Sequence, residues 1–559
     1  MEAPTLVRPV FPLTTRSWIP VRFVSGESRE LSILEAFRRA EEIREISCEL
    51  PTQTFAILRL LLAILYRVPE QFDEIEWTQW HAEGLPLDAI EAYLTKYESR
   101  FDLFDTERPF FQVADLHTRT GEQKDAASLI FDLPSNNRLF TTRSGTEATS
   151  LSYAEAARWL VNAQAFDASG IKSGAIGDDR VTGGKGYPIG VGWSGLLGGV
   201  YANGQTLHDT LLLNLVPPGS WFDFDAESDL PPWEDAEPDT AAARVTLVPR
   251  GPARLYTWQS RRIRLFRSGG RVSGCLIANG DKLTPQNMFT VEPMSSWRFS
   301  EPQTKALTQT TYMPREHLQG RALWRGISAL LPGISPIVTK RGVPATLTPG
   351  LIEWLAHLRD NEIVARPAHL RLRSVGVVYG SNNSVVDDVL SDEVDFSLTL
   401  LREKSRPLAR QAEHAVELAE AGARSVRQLA ENLDRAAGGD GIARGEKARQ
   451  ATYAALDEPY RRWLRGLDGD EAPLVALDGW KDLARTTLLR VGADLIADAP
   501  PAAWTGREVT HLGRTELITT ARAENWFRRS IAKSFTTTLE NTTPENTTPE
   551  KDADDERTD

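Results

Sequence analysis

Near residue 391 the chain changes character, and that break limits the available folds more than any other feature. Before it, short helical and extended patterns alternate, with frequent Gly, Pro and Trp. After it come long stretches rich in Ala, Leu, Arg and Glu with few β-branched runs, the composition of packed helices. The spacing predicts helices over 391–437, 445–467, 473–498 and 511–535. Gly438-Gly439-Asp440-Gly441 separates the first two, Pro500-Pro501 ends the third, and Pro407 is expected to kink or divide the first. In the third, Trp480, Leu483, Thr487, Leu488, Val491 and Leu495 form a stripe at helical spacing. Four such helices on short loops make a bundle. At 559 residues the chain exceeds one compact domain. The expectation is an α+β protein: a mixed domain over 1–385, a four-helix bundle over 386–535, and a disordered acidic tail over 536–559 built on the repeat ENTTPENTTPE.

Within the first half, residues 31–45 read as a helix, and Thr52 is placed to cap a second, apolar one. That second segment, Phe55 to Val68, is interrupted by Arg59 and Arg67 and is too short for a membrane span, which takes ~20 residues. It reads as a buried core helix. The aromatic segment 101–113 suits a core or a subunit interface, and 152–165 is again helical. An irregular Gly-rich stretch follows over 169–199, then an apolar run at 210–216. Residues 217–242 read as an acidic, Pro-rich surface loop, and 244–265 alternates in the manner of strands.

The net charge of −13 disfavours a nucleic-acid partner at first sight, but the charge is segregated. The tail carries −6 of it, and eight acids fall between residues 222 and 239 with no base among them. Residues 250–282 hold Arg250, Arg254, Arg261, Arg262, Arg264, Arg267, Arg271 and Lys282 against Asp281 alone, a net of +7. Screening over ~8–10 Å makes local sign matter more than the total. Cys48 and Cys275 are too few for a disulfide framework or a zinc site, and such scarcity suits a reducing cytoplasm. The first residues, broken by Pro and Arg, do not read as a secretion signal.

Known catalytic patterns are approached but not met. Residues 177–186, GDDRVTGGKG, lack the spacing of a phosphate loop, and Gly186 stands where its hydroxyl residue belongs. Gly192-Trp193-Ser194-Gly195-Leu196 ends in Leu where a nucleophile elbow needs Gly. His208-Asp209 is the dipeptide of metal phosphohydrolases, yet the other histidines are scattered singly. A phosphohydrolase therefore stays as one alternative and a protein-only scaffold as another. The residues ask for no cofactor and no metal. What they do offer is binding chemistry: Gly-rich and amide-rich segments flanked by isolated basic residues, which let a backbone approach a groove or a phosphate.

Ordered blocks along the first half carry a resemblance. SWIPV (17–21), SILEAF (32–37), RLLLAILYR (59–67), FDLFDTERPFFQV (101–113), LPSNNRLFTTR (133–143), LSYAEAARWLVNAQAFDASGIKSG (151–174), GGKGYP (183–188) and LHDTLLLNLVPP (207–218) resemble the CasA family, the large subunit of the type I-E CRISPR Cascade complex. The resemblance implies a non-catalytic, cytoplasmic subunit, not membrane-bound, whose partners are double-stranded target DNA, the CRISPR guide RNA and the other Cascade subunits. It would read the protospacer-adjacent motif, promote duplex opening and R-loop formation, and recruit a helicase-nuclease.

Three devices follow from that resemblance. A glycine loop for the minor groove falls on Gly183, Gly184, Lys185 and Gly186, with Lys172-Ser173-Gly174 competing. A lysine finger falls on Lys282, and a strand-separating wedge on Asn382, Asn383 and Ser384. Ser384 stands where some relatives have Gln, so the tip residue is Ser384 or Asn383. A fourth element, Asn136, Asn137, Arg138 and Phe140, would contact guide RNA or a neighbouring subunit. In the bundle, Arg402, Lys404, Arg406, Arg410, Arg522, Arg528, Arg529 and Lys533 are expected to face DNA or small subunits, or solvent. The cysteine cluster that certain relatives carry around the position of Cys275 is missing, so metal binding does not transfer.

Overall fold

In the computed structural model the described residues are 10–133, 143, 149–219, 222–316, 319–331, 338–364, 369–469, 471–511 and 514–536. The chain divides into two units, Met1–Arg406 and Pro407–Asp559.

The first unit is organised around two helices buried nearly all round, Pro51–Leu65 and Tyr153–Phe166, which pack on each other. A helix apolar on every face belongs inside a core. Thr52 does not cap the first: Leu50 holds the cap position, Pro51 opens the helix, and the buried Thr52 hydroxyl has no partner. Proline suits that first position because its missing N–H would be unsatisfied anyway. Ser152 caps the second in a reciprocal capping box with Glu155. The helix expected over 31–45 shrinks to Ile33–Arg38. Its flanks become strands Ser28–Leu31 and Ile43–Ile46, which pair on either side of Ile19–Phe23.

Two antiparallel hairpins carry the rest. Arg261–Ser268 pairs with Arg271–Asn279, and His369–Tyr379 pairs with Val386–Ser397 along its whole length while also pairing with Gly199–Asn203. The second hairpin corrects the expected first helix. Residues 386–397 are strand, and the helix starts only at Arg406, where Pro407 helps open it rather than kinking it. Of the expected strand region 244–265, only Arg261 onward is strand; Pro252–Leu255 is a short helix.

In the second unit, the long helices among the described residues are Arg406–Ala437, Ile442–Arg465, Pro473–Ala497 and Thr520–Ser534, with the strand pair Arg507–His511 and Arg514–Ile518 before the last. They pack through small residues. A Cβ on Gly422 would meet Leu488, and one on Gly492 would meet the Phe527 ring. Trp480 Nε1 and the Tyr460 hydroxyl reach back to carbonyls of Ala415 and Ala412 on the first of these helices. The buried stripe of the third helix runs through Leu477, Trp480, Ala484, Thr487 and Leu488, whereas Leu483 points out.

Candidate nucleic-acid interface

Asp167 ends the helix Tyr153–Phe166, and the chain from there to Gly192 is an excursion closed at its neck. Gly192 N donates to Asp167 O at 2.8 Å. Arg261 fastens both sides of that neck. Its guanidinium donates to the Asp167 carboxylate, to Ala168 O at 2.9 Å and to Gly190 O at 2.9 Å. A buried cation with its donors occupied in this way is a structural clamp, since leaving it unpaired would be costly.

Inside the excursion, the two competing glycine segments turn out to be the two strands of one hairpin. Lys172–Ser173 pairs antiparallel with Lys185–Gly186. Thr182 and Lys185 exchange both backbone hydrogen bonds at 3.1 Å around Gly183 and Gly184, whose φ values are +60° and +75°. Two central residues at positive φ make the tight two-residue turn that matches strand twist, and glycine takes it without strain. Nothing lies within 4 Å of where a Cβ on either would stand, so the tip is open. Gly174 is different: a Cβ there would sit 2.4 Å from Gly184 O.

The side chains alternate. Lys172 turns inward to pair with Asp167, and Gly186 lies against the Asn279 amide. Burial draws the Lys172 pKa down, partly offset by Asp167; burial works to raise Asp167, but Lys172 and Arg261 hold it below the usual carboxylate range. Lys185 is exposed and has no acidic partner among the described residues.

Lys282 comes next to this excursion through the end of strand Arg271–Asn279. Asn279 Nδ2 donates to Tyr187 O at 2.6 Å, and Arg180, held by Asp178, donates to Gly280 O at 2.9 Å. Lys282 itself is exposed and lines a cavity of ≈270 Å³ with Ile189, Gly190 and Arg261. It lies in an irregular connection after the strand, not in a turn.

The third device closes the group. Between His369–Tyr379 and Val386–Ser397 the turn residues Asn382 and Asn383 both take φ of +55°, and residues 381–384 are exposed. Ser169 N donates to Asn383 O at 2.7 Å, and a Cβ on Gly170 would lie 3.5 Å from Ser384 O. Ser384 Oγ is bonded to Ser381 O at 2.8 Å, within its own turn. The segment Ser169–Lys172 therefore joins the wedge turn to the glycine hairpin, and Asn279–Lys282 flanks that hairpin. Sequence reading named the three tips but missed Asp167, Ser169, Asn279 and Arg261, which hold them together. Their only hint was Arg261 itself, which looked like part of a surface charge cluster. Asn136, Asn137, Arg138 and Phe140 lie outside the described residues.

The basic segment needs correction. Arg262 and Asp281 pair at 2.8 Å with both side chains 1% exposed; Arg254 pairs with Asp235, and Arg244 with Asp235, Asp239 and Asp281. Asp229 accepts from the backbone N–H groups of Ala253 and Arg254. The acidic excursion is thus docked onto the basic segment through Asp229 and Asp235, with Trp233 buried. Arg250, Arg267, Arg271 and Lys282 remain exposed. Of the basic residues expected on the bundle, Arg402, Lys404 and Arg406 belong to the first unit, Arg402 facing Asp360 and Arg406 facing Glu403, while Arg522 pairs with Glu516 and Arg528 with Glu524. Lys404, Arg410, Arg529 and Lys533 are exposed.

His208-Asp209 has a local explanation. Asp209 forms a reciprocal capping box with Thr206 at the start of helix Leu207–Asn214, and His208 Nε2 lies 3.4 Å from Trp80 O. Among the described residues no three His, Cys, Asp or Glu side chains gather to hold a metal around it. Ser194 is fully buried and receives a hydrogen bond from Arg59 at 3.3 Å.

Residues 12–491 match the model of the family described as CRISPR-associated protein Cse1. The structure is similar to that of Thermobifida fusca Cse1, with a TM-score of 0.87 and 40% identity, covering 94% of this chain and 98% of that one. It also resembles Cse1 from Acidimicrobium ferrooxidans, with a TM-score of 0.78 and 30% identity over 96% and 99% of the two chains. A CasA/Cse1 protein of Thermus thermophilus is 29% identical over 503 residues, 86% of this chain and 91% of that protein.

Proposed function

Because the chain belongs to the Cse1 (CasA) family, the large subunit of the type I-E CRISPR Cascade complex, we propose that it reads the protospacer-adjacent motif in double-stranded target DNA. On this reading it performs no catalysis. It helps open the duplex so that guide RNA can pair, and it recruits the helicase-nuclease that degrades the target. The glycine turn at Gly183-Gly184 enters the minor groove, where its lack of side chains suits a width of about 6 Å. Lys185 and Lys282 supply charge, and the turn Asn382-Asn383-Ser384 sits where strand separation starts. Because Ser384 is short and bonded within its own turn, Asn383 takes the wedging position. Asn136, Asn137, Arg138 and Phe140 contact guide RNA or a neighbouring Cascade subunit.

The observation that carries this reading is the physical union of the three devices, with Ser169–Lys172 bonded to both the wedge turn and the glycine hairpin. Minor-groove readout separates A·T from G·C only coarsely, so the motif preference is tolerant.

The test is a gel shift with the guide-loaded complex, with and without this chain, on duplexes that differ only in the motif. Motif-dependent binding that requires the chain, and that weakens in Lys185→Ala and Lys282→Ala, is the expected result. Unchanged affinity and salt dependence in both variants would leave a protein-only scaffold as the better reading. Replacing His208 and Asp209 by Ala alters stability alone; loss of a hydrolytic activity would instead favour the phosphohydrolase.

A further inference from the structure

Large apolar side chains are exposed at three positions of the glycine excursion: Ile171 at 56%, Ile176 at 46% and Tyr187 at 55%. Two of them share one face. The ladder pairs Lys172 with Gly186 and Ser173 with Lys185, so Ile171 and Tyr187 stand opposite each other one step past its end. Alternation sends Lys172 and Gly186 inward and leaves Ile171, Lys185 and Tyr187 outward. Ser173, across from Lys185, is covered at 4% exposed, so the open part of the face is Ile171, Lys185 and Tyr187. The surface therefore offers an aromatic ring, an adjoining aliphatic side chain and, two residues along the strand, an exposed cation with no acidic partner among the described residues.

We propose that the outward face of this hairpin, Tyr187 with Ile171, stacks an unpaired nucleotide base of DNA while Lys185 holds its phosphate. Single-stranded nucleic acid is bound by this combination of stacking ring and backbone cation. Duplex DNA keeps its bases stacked inside and has no use for the ring. An unpaired base is at hand only where strands separate, and the wedge turn touches Ser169 and Gly170, immediately before Ile171. The inference rests on the proposed duplex-opening role and adds a holding site for the first displaced base.

The test uses full-length chain assembled with guide RNA and the remaining subunits, on target duplex carrying 2-aminopurine at the first unpaired position of the displaced strand. In the wild type the probe, quenched by stacking in the duplex, stays quenched on opening. In Tyr187→Ala its emission rises toward that of a free base, and the opened complex closes about 5-fold faster or more, as expected for losing a base stack of ~1–3 kcal/mol. Tyr187→Phe keeps the quench, because the ring is retained. The Tyr187 contact to Asn279 uses the backbone carbonyl and survives both substitutions. If binding is motif-dependent but Tyr187→Ala behaves as wild type, this inference fails alone. If the wild-type complex shows no motif-dependent duplex binding, the proposed function fails and this inference with it.

Discussion

Ser169 donates its amide hydrogen to the carbonyl oxygen of Asn383 at 2.7 Å, which ties the start of the glycine excursion to the tip of the long hairpin. A residue that disturbs the wedge turn is therefore felt at the glycine hairpin, which begins three residues after Ser169.

Asn382 and Asn383 both sit in the left-handed region, which an L residue with a branched side chain enters at a cost of ~1–2 kcal/mol. Asn382→Gly and Asn383→Gly keep the melting temperature, whereas Asn383→Val lowers stability by about that amount. Chemical denaturation of the three variants checks it; equal stability of the Gly and Val variants would mean the turn is not held at positive φ.

The glycines of the hairpin separate by mechanism. Gly183→Ala and Gly184→Ala strain only the backbone, each by ~1–2 kcal/mol, because the surrounding space is open. Gly174→Ala drives a methyl into Gly184 O and unseats the strand pair, an overpacking cost of ~1–3 kcal/mol that also shifts the tip. Hydrogen exchange of the Lys185 and Gly174 amides reads the difference: protection survives in the tip variants and is lost in Gly174→Ala.

Arg59 and Glu292 form an ion pair at 2.9 Å with neither side chain exposed, and the guanidinium lies over the rings of Phe55, Trp193 and Tyr256. Removing one partner leaves the other charge buried. Glu292→Ala is expected to destabilise the first unit by ~3–5 kcal/mol, and replacing both Arg59 and Glu292 with apolar residues to recover much of that. A double-mutant cycle by urea unfolding measures the coupling; additive losses would mean the pair is not energetically linked.

Burial raises the Asp229 carboxyl to about 6, against the pull of the two backbone N–H groups it caps. Its folded pKa thus exceeds the unfolded value of ~3.9, so the folded state holds the proton more tightly. The group's contribution to stability is complete below the unfolded pKa and is lost as pH rises through about 6. The melting temperature of Asp229→Asn relative to wild type should therefore climb between pH 4.5 and 7.5. A flat difference would place the Asp229 titration elsewhere.

The helical unit was legible because its periodicity is long, but its start was misplaced and so was the head of its last helix, where Arg514–Ile518 is strand and the helix begins only at Thr520. Residues 391–397 look helical by composition, but their register with His369–Tyr379 decides the matter, and no local pattern records a pairing partner. The tips of the candidate site were legible as glycines and asparagines in turns, whereas Lys282 lies outside any turn. Their assembly was not, because it depends on main-chain bonds such as Ser169 to Asn383 and on Arg261, whose charge suggests surface while its position is interior. The segregated charges misled for the same reason. Linear sequence places acids and bases apart, and the fold brings Asp235 to Arg254 and Arg244.

For the proposed DNA-reading role, that internal pairing bears on how the subunit would search. Each phosphate met by a free cation releases counterions, and that release supplies most of the sequence-independent hold on DNA. With Arg254, Arg261 and Arg262 already committed inside, few cations are left to displace ions around the hairpin. If the proposed function holds, a subunit built this way would grip random duplex weakly, leave it quickly, and depend on the shape of the groove at the right site to make it stay.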